Sequence, residues 1–162
     1  MIADKKNALS AVNSYYDMLE RCSTKLRNDK DVVLAALKNN GMALKYASDT
    51  LRNDKDIVMA AVEQDGLALK YASDELRNDK DVVMAAVKQN SYALEYSSDR
   101  LRNDKEVVLT ALYDEGIVLK YASKELQHKR KDSRDFSRVR NCVFCLLQKN
   151  IFIKNRHINY VR

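Results

Sequence analysis

In DKDIVMAAVEQDG, residues 54–66, apolar side chains stand at Ile57, Val58, Ala61 and Val62, the spacing of one broad helical face. Met59 and Ala60 fill the flanks, so little of this helix is polar except its ends. A short helix that is apolar on nearly every side is predicted to lie sandwiched between neighbours. The next stretch, LALKYASDELRN, carries Leu67, Leu69, Tyr71, Ala72 and Leu76 over too few residues for a long helix. It predicts a short helix, then a turn capped by Ser73 with 3-10 geometry open to it.

The two-part pattern recurs. Cutting at Asp4, Asp29, Asp54, Asp79 and Asp104 gives five ungapped blocks of 25 residues, ending at His128. The second and third blocks agree at 17 of 25 positions, as do the third and fourth, so each unit offers its neighbour the same surface. The predicted fold is all-α, a right-handed α-solenoid of five two-helix repeats, each an α-helix plus a short α or 3-10 helix. The repeats occupy 29–53, 54–78, 79–103 and 104–128, with 4–28 as a divergent N-terminal cap. Isolated helices under about 12 to 15 residues are marginal in water, so stacking must supply the stability. At roughly 8 to 10 Å per helix layer, five units predict a rod about 50 Å long.

Asn53 is the expected N-cap, with Asp56 at the third helical position, a capping-box-like pair echoed by Asn28 with Asp31, Asn78 with Asp81 and Asn103 with Glu106. Gly41, Gly66 and Gly116 sit where a left-handed helix C-terminus is expected. Ser91 replaces that glycine in the fourth block, so its turn is expected to be strained or differently closed. The first block keeps Leu9, Val12, Tyr16 and Leu19 but has Asn7 where the others have Val or Ile. Tyr15 and Tyr16 replace Asn-Gly, so one helix is expected to run on through the turn.

LRNDKDVVMAAVKQN followed by YALEYSSDRLRNDKEVV resembles a helical repeat family described only as a domain of unknown function, with a motif close to LRNDKEVVLAAVKQNGxALxYAS. The resemblance is to repeats of intracellular bacteria and large DNA viruses, and it implies an effector-like setting in a host cell. It covers residues 26–126 closely and 4–25 loosely, and it brings no catalytic residues with it. A more distant similarity, to leucine-rich variant repeats with alternating α and 3-10 helices, implies a superhelical solenoid and says nothing of function.

The chain is 46% apolar and 32% charged, with no run of 18 apolar residues, so a protein without a transmembrane segment is expected. MIADKKNALSAV places charges where a signal core would be apolar, and three cysteines, an odd number, suggest reduced thiols. Together these predict an intracellular location, in the cytoplasm or a host-cell cytosol. The net charge of +6 is unevenly placed: residues 1–128 hold 19 Lys and Arg against 21 Asp and Glu, whereas 129–162 hold 10 against 2. The repeats are therefore near neutral and the tail strongly basic.

A fixed period turns each position into a row. Arg27, Arg52, Arg77 and Arg102 form one, Tyr46, Tyr71, Tyr96 and Tyr121 another, and Asp49, Asp74 and Asp99 a third. A guanidinium ladder would suit phosphates or an acidic partner. The near-neutral total favours a structural ladder instead, Arg against adjacent Asp rows with tyrosine rings packed between units. The end of each first helix varies more than its surroundings: Lys38, Asn39 and Asn40; Glu63, Gln64 and Asp65; Lys88, Gln89 and Asn90; Tyr113, Asp114 and Glu115. These twelve are the candidate binding edge, the other reading being exposed positions free to drift.

Cys142 and Cys145 make one CxxC, with only His128 and His157 near enough in sequence to complete a zinc set, at spacings unlike any common module. No metal and no cofactor is expected, and the pair reads as part of a short apolar helical patch. With no phosphate loop, HExxH or GxSxG, the expectation is a non-enzymatic scaffold for an unknown protein partner, working as a monomer. The alternative is nucleic-acid or anionic-surface binding through the basic tail, residues 129–162.

Overall fold

Each 25-residue block folds into three pieces rather than two. In this computed structural model, which describes residues 1–112 and 116–127, α-helices run Lys5–Ser14 (α1), Lys30–Asn39 (α2), Lys55–Gln64 (α3), Lys80–Gln89 (α4) and Lys105–Leu112 (α5). A 3-10 helix follows each: Tyr16–Arg21 (η1), Gly41–Tyr46 (η2), Gly66–Tyr71 (η3), Ser91–Tyr96 (η4) and Gly116–Tyr121 (η5). A single α-turn then closes the block, at Thr24–Arg27, Asp49–Arg52, Asp74–Arg77 and Asp99–Arg102. The described residues form no strand, only an isolated bridge between Ile2 and Cys22.

Consecutive long helices pack on each other, and so do consecutive 3-10 helices, giving an α-solenoid of two layers. The core between the layers repeats with the sequence: Val32, Val33, Ala36, Leu37, Ala43 and Leu44 are buried, as are their copies one and two blocks on. Chain contacts divide the molecule into Met1–Ser123, which holds these repeats, and Lys124–Arg162, of which Lys124–Gln127 is helical. No helix among the described residues is long and apolar enough to cross a membrane.

The order within the second half differs from the expected one, because the 3-10 helix comes first and the serine caps a true α-turn after it. The hydroxyl oxygens of Ser48, Ser73 and Ser98 accept the N–H groups of Leu51, Leu76 and Leu101, and this bond winds the turn. The cap of the long helix lies one residue later than Asn53. Asp54 accepts the N–H groups of Asp56 and Ile57, and Asp29 and Asp79 do the same in their blocks. Asn28, Asn53, Asn78 and Asn103 instead end the preceding α-turn.

The glycines serve close approach, not a left-handed cap. No residue among those described has a positive φ, and the helices end on extended residues such as Asp65, at φ −147° and ψ 108°. A Cβ on Gly41 would run into the carbonyl oxygen of Ala61, and one on Gly66 into that of Ala86, each in the next repeat. Ser91 therefore causes no backbone strain and no altered closure: Asn90 has φ −150° and ψ 112° and caps η4 through the N–H of Tyr92 at 3.0 Å, as Asp65 caps η3.

Helix α1 does not run on. Tyr15 is extended, at φ −144° and ψ 117°, and separates α1 from η1 as in the other blocks. The first block differs at one face: Asn7 is exposed where Val32, Ile57 and Val82 are buried. Ile2 occupies the place that an arginine holds in the later joints. Its carbonyl accepts the Ser23 N–H at 2.8 Å, as the Arg27 carbonyl accepts that of Ser48 at 2.9 Å.

Candidate functional site

The recurrent LRNDKD is a stacking code, in which the leucine is buried and the other positions bond within or between blocks. Leu26, Leu51, Leu76 and Leu101 are buried. The carbonyls of Arg27, Arg52, Arg77 and Arg102 accept the N–H groups of Ser48, Ser73, Ser98 and Ser123 in the next block, at 2.9 to 3.0 Å. The same serines donate their hydroxyls to Asn28, Asn53, Asn78 and Asn103. Asp29, Asp54, Asp79 and Asp104 cap the long helices and receive Lys5, Lys30, Lys55 and Lys80 of the block before, at 2.5 to 2.9 Å. Lys5, Lys55 and Lys80 reach a second acid as well, Asp31, Asp81 and Glu106.

The electrostatics follow from those pairs. Hydrogen bonds to the aspartates hold the amines of Lys5, Lys30 and Lys55 above their ordinary value; for Lys80 the larger influence is Glu106, then Asp104. Asp29, Asp54 and Asp104 are lowered first by their lysines and further by the capped N–H groups. For Asp79 the largest influence is burial, which would raise it, but Lys55 and the N–H groups of Val82 and Asp81 together outweigh it. Burial pushes the Cys22 thiol up, with Arg27 opposing, so this cysteine packs as a small hydrophobe.

The arginine row pairs inside each repeat rather than between repeats. Arg52, Arg77 and Arg102 each bind the aspartate three residues earlier, Asp49, Asp74 and Asp99, because one helical turn brings these positions together. Arg27 has Thr24 at that place. The Nε atoms of Arg27, Arg52 and Arg77 are buried without a hydrogen-bond partner, so part of the fork that a phosphate would use faces inward. Between-block pairing falls to the row Lys5, Lys30, Lys55 and Lys80.

The tyrosine row lies along the 3-10 layer, each ring half-buried. The ammonium groups of Lys45, Lys70 and Lys120 lie 4.4, 4.7 and 4.6 Å from the ring centroids of Tyr46, Tyr71 and Tyr121. Tyr92 meets Tyr121 edge to face, with centroids 6.4 Å apart.

The variable edge divides into two kinds of residue. Lys38, Glu63 and Lys88 are exposed. Asn40, Asp65 and Asn90 are instead caps of the 3-10 helices, accepting the N–H groups of Met42, Leu67 and Tyr92. Asn39 donates to the carbonyls of Val12 and Asn13, and Gln89 bridges the Gln64 carbonyl and the Gly66 N–H, so this position latches a helix to the previous block. Gln64 is exposed. Tyr113, Asp114 and Glu115 lie outside the described residues, as do His128, Cys142, Cys145, His157 and the rest of the basic tail. A second variable position went unnoticed in the sequence: Glu75 accepts from Asn53, and Arg100 donates to both Asn78 oxygens, Oδ1 and the carbonyl. The charge changes at Thr50, Glu75 and Arg100 were the available signal.

Among the described residues no group of three or more His, Cys, Asp or Glu is placed to hold a metal. The geometry instead repeats one polar and aromatic surface at a fixed interval. A family model for a domain of unknown function, DUF4116, matches residues 4–52, 29–77, 54–100 and 79–127. The chain belongs to this family. Successive DUF4116 matches start 25 residues apart and each spans two consecutive blocks, so the family unit is a neighbouring pair, the smallest piece that contains one full set of the stacking bonds above. No curated protein and no solved structure matches the chain.

Proposed function

We propose that the repeat array is a non-enzymatic scaffold for protein–protein contacts, working in the cytoplasm or a host-cell cytosol. One observation carries the reading. The invariant residues of each block are engaged in stacking, whereas exposed positions on the same lattice change charge from block to block: Lys38, Glu63 and Lys88 on one layer, Lys45, Lys70 and Glu95 on the other. A regular frame with unlike exposed groups suits recognition of an extended protein surface, one contact per repeat.

A second reading rests on charge separation. Residues 129–162 carry 10 basic against 2 acidic residues, so an anionic surface or nucleic acid would be drawn there rather than to the near-neutral repeats. Immobilised full chain and a chain ending at residue 128 distinguish the two in extract with and without nuclease treatment. The scaffold reading expects both to retain the same proteins. Retention that needs the tail and disappears with nuclease would replace it with the second reading.

A further inference from the structure

Lys45, Lys70, Glu95 and Lys120 are successive copies of one site, the fifth residue of η2, η3, η4 and η5. All four are exposed, and each precedes a half-buried tyrosine. Three of the ammonium groups sit over their own tyrosine rings, within 4.4 to 4.7 Å of the centroid. Consecutive 3-10 helices pack on one another, so the row is continuous across repeats. Its sign sequence is plus, plus, minus, plus, and the stacking bonds described above do not run through Lys45, Lys70 or Glu95.

Stacked helices lie roughly 8 to 10 Å apart. A peptide in the polyproline II conformation advances about 9.3 Å over three residues, needs no strand edge to bond to, and docks well on rows of aromatic rings. Laid along this row, it brings every third side chain to a successive repeat. We propose that the Tyr–Lys row of the 3-10 layer docks an extended acidic peptide of a partner protein, whose every third residue reads acidic, acidic, basic, acidic against Lys45, Lys70, Glu95 and Lys120. Carboxylates meet the ammonium groups, the basic residue meets Glu95, and the intervening residues lie against the rings. The row fits a nucleic-acid strand poorly, because a uniformly negative backbone meets Glu95 and finds only one cation per repeat. The proposal rests on the scaffold reading and names its partner class.

The test uses the full chain and fluorescein-labelled synthetic peptides, read by fluorescence anisotropy at low salt. Two peptides carry Asp, Asp, Lys and Asp at every third position with Pro and Ser between, one in each direction, since either polarity fits the row. Controls are a scrambled peptide of the same composition, an all-Asp peptide and a labelled oligo(dT). One direction is expected to bind at least fivefold tighter than the scrambled control and the oligonucleotide. Glu95→Lys is expected to reverse the ranking of the patterned and all-Asp peptides, and Lys70→Glu to weaken the patterned one about fivefold, in step with the modest strength of exposed ion pairs. Both variants should keep the parent melting temperature, because the side chains are exposed. Equal binding of patterned and scrambled peptides, tightest binding of the oligonucleotide, no binding of either direction, or an unchanged ranking in Glu95→Lys overturns the docking row. The scaffold reading fails separately, when the immobilised chain retains no protein at all.

Discussion

The Ser73 hydroxyl donates to the side-chain oxygen of Asn53 in the preceding block while it accepts the N–H of Leu76 in its own. One small side chain therefore caps a helix and joins two repeats. Ser73→Ala should lower stability by about 1 to 2 kcal/mol, the loss of a cap and a hydrogen bond together. Asn53→Ala should cost less, about 1 kcal/mol, and the double variant less than the sum, because both remove the same bond. Denaturant midpoints of the four proteins give the coupling, and strict additivity would show that the bond contributes nothing.

Gly66→Ala tests why the glycine is there. Its φ is not positive, so alanine suits the backbone, yet the added methyl would press into the Ala86 carbonyl and lie 2.9 Å from Gln89 Oε1. A loss of about 1 to 3 kcal/mol is expected, the usual range for overpacking. A variant as stable as the parent, measured by thermal unfolding, would mean that adjacent blocks can slide apart at no cost.

Ala61 is fully buried on a helix covered by repeats on both sides. Ala61→Asp puts an unpaired charge there and should lower stability by more than about 4 kcal/mol, enough to unfold the array at room temperature. Ala61→Ser, similar in size, should lose only about 1 to 3 kcal/mol. Circular dichroism of the two variants side by side separates the effect of charge from that of bulk.

Stability should hold a plateau between the two sets of titrations. The lysine-bridged aspartates are held below their ordinary 3.8, so their contribution is present above that value and is lost as pH falls through the lowered one. The partner lysines are held above 10.5, so theirs is complete below that pH and is lost as pH rises through the raised value. The melting temperature should therefore decline below about pH 4 and above about pH 10.5. Lys55→Met should flatten the alkaline decline in part, because one of the four bridges no longer titrates.

The helices and their buried faces were legible because Val, Ile, Ala and Leu recur at helical spacing in every block. The caps were not, because Asn53 and Asp54 are adjacent and both types favour N-caps; only the backbone shows that the first ends a turn and the second starts a helix. Gly66 misled because a glycine after a helix usually marks a left-handed residue, whereas here the constraint comes from a carbonyl a whole block away. Lys55 between two aspartates reads locally as solvated charge, and its partners lie 24 and 26 residues on, beyond any local pattern. The candidate edge was half legible: Lys38, Glu63 and Lys88 face water as expected, while Asn40, Asp65 and Asn90 vary only between two residues that make the same cap.

Asn, Ser, Lys and Asp join one block to the next, while Lys45, Lys70 and Glu95 stand outside the joint. Joint and exposed letter are thus written independently, like identical couplings on differently loaded wagons. Removing, duplicating or reordering a whole 25-residue block leaves the recurrent Asn–Ser and Lys–Asp couplings with equivalent mates, while bonds peculiar to one joint, such as Glu75 to Asn53 and Gln89 to Gly66, change along with the order of signs displayed to solvent. A chain built this way can gain a new message by recombination without having to solve its folding again.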